Sequence, residues 1–319
     1  MSAGRTYLDY NATSPLRSEA REAVVCALDA YGNASSVHAE GRRARATIEA
    51  ARAQVAALAG ATPRELVFTS GATEAANWVL SQPWRAVIVS AVEHPAVMVP
   101  ARRSGARIDV VPVDRSGRID PEGLGALIDA VLADVGEIGD GGRRADLVLV
   151  AVQHANNETG VVQPIAEIAA IAHERGVRVM VDAVQAAGRV AIEQRANAID
   201  FMVLSSHKIG GPQGAGALVV REDAKLDALI CGGGQEHGLR AGTENVAAIA
   251  GFGAAAAAAQ RDLGRTQYFA RLRDTLEAAL IDATPDVAVM ARDAVRLCNT
   301  SLVALPGAAA ETAVIALDL

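Results

Sequence analysis

Residues 201–212 read Phe201-Met202-Val203-Leu204-Ser205-Ser206-His207-Lys208-Ile209-Gly210-Gly211-Pro212. Phe201 to Leu204 is a short apolar run closed by hydroxyl residues, the pattern of a strand buried on both faces. Two hydroxyls, an imidazole and a lysine follow, then a tight Gly-Gly-Pro turn. The lysine is informative because, of 30 basic residues, only Lys208 and Lys225 are lysine and the rest are arginine. A guanidinium keeps its proton in a protein, whereas a buried lysine amine can lose it and attack a carbonyl, so amine chemistry has two possible homes. Lys225 lies in Arg221-Glu222-Asp223-Ala224-Lys225, a charged turn that reads as solvated surface. Lys208 stands just past a strand end, where ligands of open α/β sheets bind.

Outward from this stretch, similar apolar runs recur at Leu66 to Thr69, Ala86 to Ser90, Ile108 to Val111, Leu147 to Val152, Val177 to Val181 and Ala217 to Val220. Helical patterns lie between them, among them Glu19 to Ala30, Ala39 to Leu58, Pro121 to Leu132 and Pro164 to Glu174. Such alternation predicts an α/β fold with a mainly parallel sheet. The texture then changes to an Ala-rich helix from Glu244 to Asp262, a helix from Thr266 to Ile281 and a strand around Leu297 to Leu305, which together read as a smaller domain. Gly136 to Arg144 reads as a solvated surface insertion. Ala308 to Leu319 reads as a helix that stops without a capping glycine or polar tail, as though the chain ended mid-element.

With 319 residues, 51% of them hydrophobic, the chain can bury one large core and a smaller one. A net charge of −7 without a basic cluster argues against nucleic acid as a partner. The N-terminus lacks the charged and apolar regions of a signal peptide, and the longest apolar stretch, Val246 to Ala259, is too short to span a bilayer. A cytoplasmic protein without a membrane partner is the expectation. Cys26, Cys231 and Cys298 form no CxxC pair and no metal-ligand spacing, so no metal site is expected and a reducing compartment is.

Four further segments follow strand ends or open helices. Ser70-Gly71-Ala72-Thr73-Glu74 offers backbone N–H groups and a hydroxyl to a phosphate, and taken alone is equally an ordinary N-cap. Val92-Glu93-His94-Pro95 could set a flat imidazole on an aromatic ring, and Asn156-Asn157-Glu158-Thr159-Gly160 could offer an amide to a phenolic oxygen; each alone is also a common turn. Val181-Asp182-Ala183-Val184-Gln185 puts a carboxylate at the tip of a buried strand, where an unpaired charge is costly and a protonated pyridine nitrogen is a fitting partner. With the Lys208 segment these supply what a phosphate-bearing aromatic aldehyde needs.

In combination, Ser-x-His-Lys at 205–208, Asp-Ala-x-Gln at 182–185, Gly-Ala-Thr-Glu at 71–74 and Arg240-Ala241-Gly242-Thr243-Glu244-Asn245 resemble the cysteine desulfurases, the class V branch of the aminotransferase superfamily. The resemblance runs from Tyr7-Leu8-Asp9-Tyr10-Asn11-Ala12-Thr13 to Leu317-Asp318-Leu319. It implies the pyridoxal-phosphate fold type I, with a large cofactor domain over residues 14–244 and a small α+β domain from residues 1–13 and 245–319. It implies that Lys208 carries the cofactor and removes the Cα proton, that Asp182 pairs with the pyridine nitrogen, and that His94 stacks on the ring. Asn156 and Gln185 would serve the phenolic oxygen. Ala72, Thr73, Ser205 and His207 would lie about the phosphate, with Thr243 arriving from the other subunit of a homodimer. The substrate implied is L-cysteine, and the partner a sulfur acceptor or iron–sulfur scaffold protein. A selenocysteine lyase, an aminotransferase or a non-catalytic cofactor-binding homologue are the alternatives. In the family the sulfur-accepting cysteine and the carboxylate-binding arginine follow the Ala-Leu-Asp-Leu helix and would fall past Leu319. Cys26, Cys231 and Cys298 all read as buried small hydrophobes.

Overall fold

The computed structural model describes residues 6–135, 147–284 and 286–318, so the Gly136 to Arg144 segment lies outside the described residues. Two helices, α1 (Ser18–Asp29) and α2 (Ala39–Leu58), precede the sheet. Strands β1 (Leu66–Thr69), β2 (Ala86–Ser90), β3 (Arg107–Val111), β4 (Val148–Gln153), β5 (Arg178–Asp182), β6 (Phe201–Ser205) and β7 (Gly216–Val220) form it. Between them run α3 (Ala72–Leu80), α4 (Pro95–Arg103), α5 (Pro121–Asp134) and α6 (Ile165–Glu174). The seven strands stand in the order β1-β7-β6-β5-β4-β2-β3. Only β7 runs against its neighbours, so the other strands are mutually parallel and all end at one edge of the sheet.

The apolar runs are continuous because the sheet is covered on both faces. Val87, Val89, Leu149, Ala151, Met180 and Val203 point to a layer containing Trp78 and Val79 of α3 and Val97 of α4. Alternate residues, Ile88, Val150, Val152, Val179, Val181 and Met202, point the other way onto Ile48 and Val55 of α2, Ile128 of α5 and Ile168 of α6. The helix α7 (Val246–Asp262) joins this second layer through Ile249, Phe252 and Ala255 and packs against α1 and α2. Its glycines permit that approach: a Cβ at Gly253 would lie 2.6 Å from the backbone of Ala51. Beyond α7 come α8 (Thr266–Ala283), a hairpin of β8 (Ala288–Val289) with β9 (Val303–Ala304), and α9 (Ala310–Asp318).

Two readings of the sequence need correction. The strand around Leu297 to Leu305 is reduced to Val303–Ala304, because the preceding residues are engaged elsewhere. Leu297 donates its N–H to the Gly160 carbonyl (2.8 Å), and Asn299 and Thr300 turn toward Asn11. The cysteines are not buried hydrophobes: Cys26 and Cys231 are exposed and Cys298 is partly so. On α1 only Ala20 is buried, so the apolar stripe that suggested an inward Cys26 faces outward, with Val25 and Leu28 exposed beside it.

Candidate active site

The common edge where the parallel strands end is also where β7 begins, and Gly216 is paired there with both Thr69 and Ser205. A cavity of about 450 Å³ opens at this edge. It is lined by Lys208, Asp182, Gln185, Ala72, Thr73, His94, Ser205 and His207, so eight of the ten sequence-predicted site residues converge on one space. Gly216 lets the turn that opens α3 lie against this edge, since a Cβ there would lie 2.6 Å from the Gly71 backbone.

At one wall α3 begins at the cavity, with Gly71 as its N-cap and Ala72 and Thr73 in its first turn. The first-turn N–H groups of a helix have no intrahelical acceptor, and the helix dipole makes this end favourable for an anion. Ser205 and His207 add a hydroxyl and an imidazole from the end of β6. Burial, with the Lys208 amine alongside, holds the His207 imidazole below its ordinary pKa. Its Nδ1 lies 3.2 Å from the Thr13 hydroxyl.

Asp182 ends β5 and is buried. Burial pushes its carboxyl above the ordinary range, opposed by the Val184 N–H that donates to Oδ1 (2.9 Å) and by the nearby His94 and Lys208. Among the described residues no basic side chain lies within ion-pairing distance of it. Glu93 is buried behind His94; its Oε1 accepts from the Ser90 hydroxyl and from the Gln153 N–H (2.9 Å), and its Oε2 has no partner. Burial raises the Glu93 carboxyl to about 8, with Asp182 adding to the effect. His94 is the N-cap of α4, its Nδ1 accepting from the Ala96 N–H (3.0 Å), which fixes the ring at the cavity wall.

Lys208 sits in a single 3₁₀ turn, Ser206–Ile209, and its amine donates to the carbonyl oxygen of Asn11. Burial, and then the Arg189 guanidinium, press its pKa below the ordinary lysine value, while Asp182, Asp9 and Glu158 act the other way. Lys225 is exposed just past the far end of β7, at the opposite edge of the sheet.

Two expected residues do not line the cavity. Asn156 holds its own turn through Oδ1, which accepts from the N–H groups of Glu158 (2.9 Å) and Thr159 (2.8 Å), while its Nδ2 donates to the Val92 carbonyl (3.3 Å); Asn157 lines the cavity. Thr243 is exposed, three residues past Arg240, which pairs with Glu74 at 3.0 Å on the first turn of α3. Sequence reasoning also overlooked Gln153 and Gln213, which line the cavity, and Asn11, whose carbonyl holds the Lys208 amine. Gln153 closes an apolar strand run, a position that could have drawn attention; nothing about Asn11 in isolation could have.

A half-buried amine, a buried carboxylate without a cation and a helix N-terminus with hydroxyl donors, arranged about one cavity, fit a phosphate-bearing aromatic aldehyde with a protonatable ring nitrogen.

Comparison with known proteins agrees. The aminotransferase class-V family model matches residues 6–318. A cysteine desulfurase of Sinorhizobium fredii is 40% identical over 318 residues, covering 96% of this chain and 78% of that one. Cysteine desulfurase IscS of Dictyoglomus turgidum is 41% identical over 260 residues, 78% of this chain, and the match spans 62% of the relative's length. The X-ray structure of a NifS-like protein from Rickettsia africae superposes with a TM-score of 0.89 at 35% identity, covering 99% of this chain and 85% of that one. In sequence, in fold and in the groups gathered at its cavity, this chain belongs to the class-V aminotransferases, with the cysteine desulfurases, as a pyridoxal-phosphate-dependent enzyme.

Proposed function

We propose that this chain removes sulfur from L-cysteine, leaving L-alanine and passing the sulfur to a thiolate as a persulfide for delivery to an acceptor or iron–sulfur scaffold protein. The observation that carries the reading is the convergence of the Lys208 amine, the Asp182 carboxylate and the α3 N-terminus on one cavity. Pyridoxal phosphate, when bound, supplies a ring that takes up the electron pair left at Cα. Lys208 would carry it and would act as the base toward the Cα proton; its lowered pKa makes the neutral amine accessible for that role. Asp182 would hold the pyridine nitrogen protonated, and its burial without an ion-pair partner among the described residues suits the carboxylate to that contact. Ala72, Thr73, Ser205 and His207 would hold the phosphate, and His94 would stack on the ring. Gln185 serves the phenolic oxygen. Asn156 would serve the same side through Nδ2, which donates to the Val92 carbonyl (3.3 Å) and has a second proton, while its Oδ1 holds the turn that carries Asn157.

The chain is read as a cytoplasmic homodimer in which Thr243 completes the partner's phosphate site; its exposure in the single chain supports this. No described helix is long and apolar enough to cross a membrane. The test is to incubate the cofactor-loaded protein with L-cysteine and measure alanine together with cyanide-labile sulfur on protein thiols. Matched alanine and persulfide are expected. Alanine from L-selenocysteine alone, or amino transfer to a keto acid in place of alanine release, would overturn the reading.

A further inference from the structure

Asn11 belongs to the segment before α1 and lies in no regular element, yet it is bonded to four separate parts of the chain. Its carbonyl oxygen accepts from the Lys208 amine and from Nε2 of Gln185 (2.9 Å). Its side-chain Nδ2 donates to the Asn157 carbonyl (3.0 Å) and the Thr300 hydroxyl (2.9 Å), and its Oδ1 accepts from Nδ2 of Asn299 (3.1 Å). The amide's orientation follows from these partners, because a carbonyl such as that of Asn157 can only accept. The side chain is therefore pinned at three points, and the backbone oxygen it carries is held at the amine.

We propose that Asn11 is a positioning residue: its carbonyl oxygen is where the Lys208 amine rests whenever that amine is not bonded to the cofactor, and its side-chain bonds hold the oxygen in place. This rests on Lys208 being the cofactor lysine. A lysine stem has free rotation about its carbon chain, so an amine released during turnover would otherwise lose its aim. A carboxylate at the same point would keep the amine charged. A neutral carbonyl restrains it with a weaker preference for the charged form, so the amine can still act as a base. The charged groups around Lys208 are Arg189, Asp182, Asp9 and Glu158, with His207 beside it, and Asn11 is the uncharged acceptor among them. Because the anchors are Asn157 in the cavity wall and the Asn299-Thr300 segment before β9, the arrangement also ties the amine's position to the part of the chain beyond α8.

The test uses apoprotein, in which the amine is free. Cofactor uptake, followed by absorbance across pH, requires the neutral amine, so the midpoint of its pH profile reads the Lys208 amine directly. Asn11→Ala is expected to move that midpoint down by about one pH unit, since a hydrogen bond favouring the charged amine is loosened. Cα-proton exchange in the reloaded enzyme is expected to fall about tenfold with the KM for L-cysteine little changed. Asn299→Ala removes one anchor and should shift the midpoint in the same direction by less, and it decides the matter if Asn11→Ala does not fold. A merely structural role would lower stability or cofactor affinity without moving the midpoint, and unmoved midpoints in both variants would overturn the proposal. A Lys208→Ala apoprotein that still takes up cofactor covalently would instead refute the lysine assignment, which separates the two failures.

Discussion

Asp182 and Glu93 are buried carboxyl groups, and the charge of Asp182 adds to the rise of the Glu93 carboxyl. For Asp182 the neutral amide of Asp182→Asn preserves shape while losing the power to hold a ring nitrogen protonated. The variant is expected to retain cofactor and to slow Cα-proton exchange with L-cysteine by about 100-fold or more, the scale of a lost acid–base contribution. Unchanged exchange would remove Asp182 from the mechanism. Glu93 carries a different consequence. Burial pushes its carboxyl up to about 8 from an ordinary 4.5, so the folded state favours its protonated form. That contribution is fully present below the unfolded value and is lost as pH rises through the folded one, at up to about 1.4 kcal/mol per pH unit. Glu93→Gln keeps an acceptor for Ser90 and Gln153 without a titrating proton. Its melting temperature relative to the parent should climb between pH 5 and 9, and a constant difference would show that Glu93 does not titrate in that window.

Elements place these residues, and the decisive fact is that the parallel strands share one terminal edge while β7 starts there. The narrow approach of Gly216 to Gly71 lets the β1–α3 turn lie against that edge. Gly216→Ala should push the turn outward, weakening cofactor affinity about tenfold and costing about 1–3 kcal/mol of stability, read by cofactor titration and denaturant unfolding. Unaltered affinity would mean that the turn can relax without moving the α3 N-terminus. The large sheet was legible in the sequence because strands covered on both faces need uninterrupted apolar runs, and because Lys208, Asp182 and Thr73 follow those runs within a few residues. The β8–β9 hairpin was not, since its pairing depends on where Arg296 to Thr300 are already bonded. Nor was α4 singled out, its pattern broken by Pro95 at the first turn and Pro100 inside. That Asn157 and not Asn156 lines the cavity rests on how the turn is seated against Val92, and the outward face of Cys26 on which side of α1 meets α7. Both are settled by tertiary packing, to which local pattern is blind.

At the scale of the whole molecule, Arg240 is fixed to α3 through Glu74 while Gly242 and Thr243 stand exposed beyond it, which suits a segment that reaches another subunit. Sedimentation should give a dimer. In a mixed dimer of Lys208→Ala and Thr243→Ala subunits, a shared site places both lesions together and leaves the other site intact, so about half the parental activity should return. Near-zero activity would mean that each subunit supplies its own Thr243. The central claim is that Lys208 carries the cofactor. It is tested most directly by reducing the pyridoxal-phosphate-loaded protein with borohydride and locating the added mass by peptide mass spectrometry. The phosphopyridoxyl group is expected on Lys208 and absent from the Lys208→Ala variant; the same group on Lys225, or no stable adduct on the parent protein, would rule Lys208 out as the cofactor lysine.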